Sequence, residues 1–196
     1  MIKNIIFDVG NVLMRWDKEY ISSTIFSNPH DAKVCLDKVL NSPIWPELDL
    51  ASDPEETTKN KMKALMEPQD HHIVDELLEK YPTTITLIEE TSNWAIKMKK
   101  KGYKIYLLTN FPIGFHEFKK RLSIMNLLDG YVCSSDIHVI KPDPKIFEYL
   151  FNKYKLNPKE CLFIDDLKKN TDAALKSGMG KVITYNNIKQ LEEFDN

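Results

Sequence analysis

Five short apolar runs, each cut off by a polar group or a turn, set the rhythm of this chain. Residues 5–7 (Ile-Ile-Phe) stop at Asp8, and residues 105–108 (Ile-Tyr-Leu-Leu) stop at Thr109-Asn110. Residues 131–133 (Tyr-Val-Cys) form a third run, residues 161–164 (Cys-Leu-Phe-Ile) stop at Asp165-Asp166, and 181–184 is the fifth. Runs this short and continuously apolar are expected of parallel strands buried on both faces. Helical spacing fills the gaps. Ile85, Ile88, Ala95 and Met98 mark a helix with a basic end at 97–101 and a stop at Gly102. A second helix is expected around Phe115, Phe118, Leu122 and Met125. A third opens at Asp143-Pro144, an N-cap and first-turn pair, and carries Phe147, Leu150, Phe151 and Tyr154. Asn157-Pro158-Lys159-Glu160 reads as another helix start, 170–177 as a helix ended by Gly178, and the chain from Asn186 as a polar tail.

Between the first two strands lies a long block without strand character. Ile21 with Ile25, then Leu36, Val39 and Leu40, then Met62, Leu65 and Met66, then Val74, Leu77, Leu78 and Tyr81 fall at helical spacing. Breaks separate them at Asn28-Pro29, from Ser42-Pro43 to Asp53-Pro54, and at Glu67-Pro68. The block is too long for a plain βαβ crossover, so it reads as an insertion. The expected fold class is α/β: a Rossmann-like three-layer core with a parallel sheet, plus an inserted α-helical cap domain. The expected boundaries are 1–14 and 84–196 for the core and 15–83 for the cap.

Composition narrows the function. A net charge of -2 argues against a nucleic-acid-binding surface. Cys35, Cys133 and Cys161 lack metal-ligand spacing; Cys133 and Cys161 fall in expected strands as small buried hydrophobes, and their odd count suits a reducing cytoplasm. The first residues run straight into strand one with no long apolar segment, so neither a signal peptide nor a membrane span is expected. A monomer is the default, no apolar interface pattern standing out.

The strand ends carry the chemistry. Asp8, Thr109 and the Asp165-Asp166 pair all sit where open α/β sheets bind ligands, and Lys141 lies in a Lys-Pro-Asp-Pro turn between them. Two carboxylates near 4 Å repel by roughly 4 kcal/mol at an effective dielectric of about 20. Either one protonates or a cation binds, and a hard divalent ion such as Mg²⁺ suits oxygen ligands and phosphate work. Asp8 can then act as ligand and nucleophile, since carboxylates form aspartyl-phosphate intermediates. Lys141, Thr109 and the amides of the Val9-Gly10-Asn11 turn are placed to take phosphate oxygens, with Gly10 allowing close backbone approach.

Four stretches, in chain order, resemble the four motifs of the haloacid dehalogenase (HAD) superfamily: 8–13 (Asp-Val-Gly-Asn-Val-Leu), 108–110 (Leu-Thr-Asn), Lys141, and 165–170 (Asp-Asp-Leu-Lys-Lys-Asn). That resemblance implies a Mg²⁺-dependent phosphatase of a small phosphorylated metabolite, a sugar phosphate by preference. It implies Asp8 as nucleophile, and Thr109, Asn110 and Lys141 on the phosphoryl group. It places Asp8, the Gly10 carbonyl and Asp166 on the metal, Asp165 as ligand or neighbour, and Asn170 as a brace of the last loop. The family's phosphatases carry an acid–base aspartate two positions after the nucleophile, where this chain has Gly10. Asp17, Asp49 and His116 are the candidate replacements. Competing readings are a 2-haloacid dehalogenase, against which the acidic pair argues, and a phosphate-binding protein without turnover. Trp16 and Trp45 line a substrate entrance or pack cap against core, and His71-His72 reads as an exposed helix pair.

Overall fold

The computed structural model describes residues 1–195. Its centre is β1 (Asn4–Phe7), whose four residues are all buried. β1 lies between β2 (Lys104–Thr109) and β4 (Cys161–Asp165), with β3 (Gly130–Cys133) beyond β2 and β5 (Lys181–Thr184) beyond β4. Every pairing is parallel, giving the order β3-β2-β1-β4-β5. Strand alternation divides the apolar residues between two layers. Ile5 and Phe7 pack with Ile105, Leu107, Leu162 and Ile164 on one face, together with Trp94 and Met98 of the helix Glu89–Lys100. Ile6 joins Tyr106, Leu108 and Phe163 on the other, under Phe147, Leu150 and Phe151 of the helix Pro144–Tyr154. Each fully buried side chain of this size contributes roughly 1.5–3 kcal/mol. The three-layer α/β core expected from the sequence is what forms.

The chain leaves and re-enters the core through a paired crossing. Arg15 N donates to Thr86 O and Ile88 N to Leu13 O, both at 2.9 Å. Between these crossings lie five α-helices: α1 (Lys18–Ile25), α2 (Pro29–Val34), α3 (Trp45–Leu50), α4 (Glu55–Lys63) and α5 (His72–Thr84), with a π-helical turn at Cys35–Leu40. Their buried residues, among them Ile21, Val39, Leu40, Met62, Ile73 and Leu77, are continuous with the Ile5–Phe7 face of the core. Arg121 fastens the end of α5 by donating to the Pro82 and Ile85 carbonyls.

Local structure departs from the sequence pattern at five places. The proline-bearing stretch expected as a break contains α3, because Pro46 falls in its first turn, where a missing N–H costs nothing. The helix expected through Met125 stops at Phe118: Leu122 turns extended, so that Leu122 and Ile124 enter the core from separate short turns. Asn157-Pro158 starts only a single turn, Pro158–Glu160, since β4 must begin at Cys161. α4 ends before Leu65, which is exposed. The polar tail instead holds a helix, Lys189–Asp195, anchored by buried Leu191 and by Phe194 edge-on to Trp94. Among the described residues no helix is long and apolar enough to cross a membrane.

Candidate active site

Register decides which side chains meet. Phe7 is level with Leu107 on one side and Ile164 on the other, so the next residues, Asp8 and Asp165, emerge side by side at the carboxyl ends of β1 and β4. Chain direction across the sheet reverses at this point, which is where such folds place ligands. Asp8 N donates to Ile164 O at 2.8 Å, fixing the start of the turn. Lys141 reaches in from the turn before the helix Pro144–Tyr154. Its buried Nζ donates to Asp8 Oδ1 at 2.8 Å, to Asp165 Oδ2 at 2.7 Å and to the Leu108 carbonyl at 2.9 Å.

The two aspartates of the last loop divide their work. Asp165 is fully buried and both its oxygens are committed. Oδ1 accepts from Leu167 N at 2.9 Å and from Asn170 Nδ2 at 3.0 Å, and Oδ2 holds Lys141. Asn170 thus braces this loop, as expected. Asp166 lines a cavity and accepts from Asn11 Nδ2 at 3.0 Å. Asp8, Asp165 and Asp166 each offer an oxygen within 4.8 Å of the other two.

Three carboxylates cluster at the Lys141 ammonium, and their burial together perturbs the whole group. Burial, reinforced by the charges of Asp165 and Asp166, pushes Asp8 from 3.8 up to about 7, although Lys141 pulls the other way. Burial also raises Asp166. Lys141 is raised as well, because Asp165 and Asp8 outweigh the burial that opposes its charge.

The cavity in front of this cluster has a volume of about 520 Å³. From the core, Asp8, Gly10, Asn110, Lys141 and Asp166 line it. From the helical insertion, Trp16, Lys18, Trp45, Asp49 and Tyr81 do so. Trp16 and Trp45 lie 5.4 Å apart between ring centroids, and Tyr81 meets both edge-on, so the two tryptophans line the cavity and pack together at once.

Several of the expected site residues have partners that spacing does not show. Thr109 is buried at the end of β2, and its Oγ1 donates to the Asn110 carbonyl at 3.4 Å. The Asn110 side chain is occupied holding Lys141: Oδ1 accepts Lys141 N at 2.8 Å and Nδ2 donates to Lys141 O at 3.1 Å. The Asn11 amide donates to Met14 O rather than facing the cavity. Asn11 itself, in the left-handed region at φ 52, links Asp166 to the backbone of Trp16, whose N–H donates to its Oδ1 at 2.9 Å. Asparagine tolerates that conformation better than most residues, a signal present in the Gly-Asn dipeptide. Asp17 is spent capping α1 through Tyr20 N, and His116 bridges Asp136 and Tyr131. Neither lines the cavity. His72, expected simply as exposed, points Nε2 at Asp31 from 3.8 Å, while His30 pairs with Asp70 at 3.1 Å.

The profile of haloacid dehalogenase-like hydrolases matches residues 2–178. The chain belongs to this family. It is 26% identical to D-ribitol-5-phosphate phosphatase of Bacteroides thetaiotaomicron over 87% of its own length and 85% of that protein. It is 30% identical to mouse bifunctional epoxide hydrolase 2 over 52% of its length, but spans only 19% of that relative. Among solved structures it resembles the HAD family enzyme BT-2542 of B. thetaiotaomicron in complex with magnesium and inorganic phosphate. There the TM-score is 0.70 and identity 20%, over 95% of each chain. The chain thus falls in a hydrolase family and has phosphatases among its relatives.

Proposed function

We propose that this hydrolase is a phosphomonoesterase that transfers the phosphoryl group of a small metabolite to Asp8 and then to water. The observation that carries the reading is the placement of a buried carboxylate, with its Oδ1 held by Lys141 at 2.8 Å, in the lining of a cavity of metabolite size. Phosphoryl transfer needs positioning and neutralisation of oxygens more than covalent help. Lys141 would neutralise one oxygen, and Thr109 and the backbone at Asn110 would complete the cradle.

A divalent cation fits these residues. The donor set is all oxygen, three carboxylates stand against one ammonium, and the Asn170 side-chain oxygen is buried on the same wall without a hydrogen-bond partner. Asp8, the Gly10 carbonyl and Asp166 would hold Mg²⁺. Asp165, with both oxygens engaged, would orient Lys141 instead. Bound there, Mg²⁺ supplies charge neutralisation for the phosphate.

Residues 15–83 would act as a cap over a core of 1–14 and 84–196. The Trp16-Trp45-Tyr81 wall offers apolar faces to the C–H side of a polyol, with Lys18 and Asp49 beside it for hydroxyls. A sugar or polyol phosphate is accordingly the preferred substrate class, and the ribitol-phosphate relative supports it. The test is release of inorganic phosphate from p-nitrophenyl phosphate and from a panel of sugar and polyol phosphates. It is run with Mg²⁺ and with EDTA, for wild type and Asp8→Asn. Turnover confined to wild type with Mg²⁺ is expected. Equal rates in Asp8→Asn would overturn the proposal.

A further inference from the structure

Cleaving a phosphate monoester leaves an alkoxide that needs a proton, and no donor stands beside Asp8 on its own loop. Position 10 is glycine, and a Cβ built there would meet nothing nearer than Asp8 Oδ2 at 4.0 Å. Asp8, Glu19, Asp49 and Asp166 are the acidic residues lining the cavity. Asp8 has the nucleophile's part in the reading above, Asp166 is held by Asn11, and Glu19 is exposed. That leaves Asp49, which comes from α3 of the helical insertion.

That helix is docked firmly. Ser134 Oγ donates to the Asp49 carbonyl at 2.6 Å, His138 Nδ1 donates to the Leu50 carbonyl at 3.1 Å, and Ala51 ends the helix in the left-handed region. Trp45 and Pro46 lie four and three residues before Asp49 on α3, which puts each of them on Asp49's side of the helix, and all three line the cavity. The core thus fixes the backbone that carries Asp49 at the cavity that Asp8 also lines.

Resting on the phosphatase reading, we propose that Asp49 is the acid–base catalyst of this site. Protonated, it gives its proton to the ester oxygen as the P–O bond to the alcohol breaks and the bond from Asp8 to phosphorus forms. Ionised, it takes a proton from the water whose oxygen attacks phosphorus. The Asp8–phosphorus bond breaks, and hydrogen phosphate, the Asp8 carboxylate and protonated Asp49 result.

The environment suits both duties. Burial, followed by the charge of Asp8, raises Asp49 to about 7, against the pull of Lys141 and of Lys18 on α1. Tyr81 on α5 and Cys133 on β3 also feel its charge; burial pushes the Tyr81 hydroxyl up and the Cys133 thiol up to about 11, so neither is ionised near neutrality. A group poised near the working pH is the most effective proton shuttle.

The test compares p-nitrophenyl phosphate, whose leaving group departs without protonation, with phenyl phosphate, whose leaving group does not. In Asp49→Asn, kcat/KM for phenyl phosphate should fall by about 10²-fold or more. For p-nitrophenyl phosphate it should fall less than about tenfold. Wild type should lose activity on phenyl phosphate above neutral pH, Asp49→Asn should not show that loss, and Asp49→Glu should recover part of the rate. Equal losses on both esters, or none, in a variant that keeps the wild-type unfolding temperature would overturn the assignment while leaving the phosphatase reading intact. No phosphate release from either ester by wild type would overturn both.

Discussion

Replacing Asp8 with asparagine should destroy activity and yet stabilise the metal-free protein. The asparagine keeps an oxygen for Lys141 while removing one of three clustered carboxylates. Asp8 is raised from 3.8 to about 7, chiefly by burial. Between those values the folded chain holds a proton that the unfolded chain has released, so this residue's contribution falls as pH rises from about 4 to about 7. At 1.36 kcal/mol per tenfold, the loss is at most about 4 kcal/mol. A gain of half that in Asp8→Asn at pH 8 would raise the unfolding temperature by roughly 4–8 °C for a chain of this size. The assay is urea unfolding in EDTA between pH 4 and pH 8. The gap between variant and wild type should widen as pH rises from about 4 to about 7 and be smallest near pH 4. Added Mg²⁺ should narrow it at pH 8 by stabilising wild type through mass action. A variant no more stable than wild type at pH 8, with no trend in the gap, would refute the claim that repulsion is stored at this site.

Lys141→Met should act in the opposite sense, because it strands two buried carboxylates. Unfolding free energy at neutral pH, read by urea unfolding, should drop by about 3–5 kcal/mol. Asn11→Ala should cost about 1–3 kcal/mol in denaturant unfolding. By freeing Asp166, it should also raise the Mg²⁺ concentration needed for half-maximal phosphate release. A metal requirement unchanged in that variant would count against Asp166 as a ligand.

Most of the core was legible because its physics is local. Residues 5–7 and 161–164 are apolar runs ending in carboxylates, and the sheet order brings those ends together at Asp8 and Asp165. The roles of asparagines were harder to read. Asn11, Asn110 and Asn170 each use both ends of a short side chain or reach two acceptors, and such pairings depend on register that no residue spacing reveals. α3 was hidden because Pro43, Pro46 and Pro54 look like a break until Pro46 is seen in a first turn. With that helix went the position of Asp49, since a residue in an apparent loop has no direction. Asp17 and His116 failed as acid candidates for a similar reason: nearness in sequence said nothing about the partners that had already claimed them.

The central claim is that Asp8 carries the phosphoryl group. The direct measurement is an acid quench of wild type and Asp8→Asn during hydrolysis of p-nitrophenyl phosphate with Mg²⁺, followed by peptide mass mapping. The expected result is the mass of one phosphoryl group on the peptide holding Asp8 in wild type and none in the variant. Phosphate release at the wild-type rate by Asp8→Asn, or a phosphoryl group carried on any other side chain, would contradict the account.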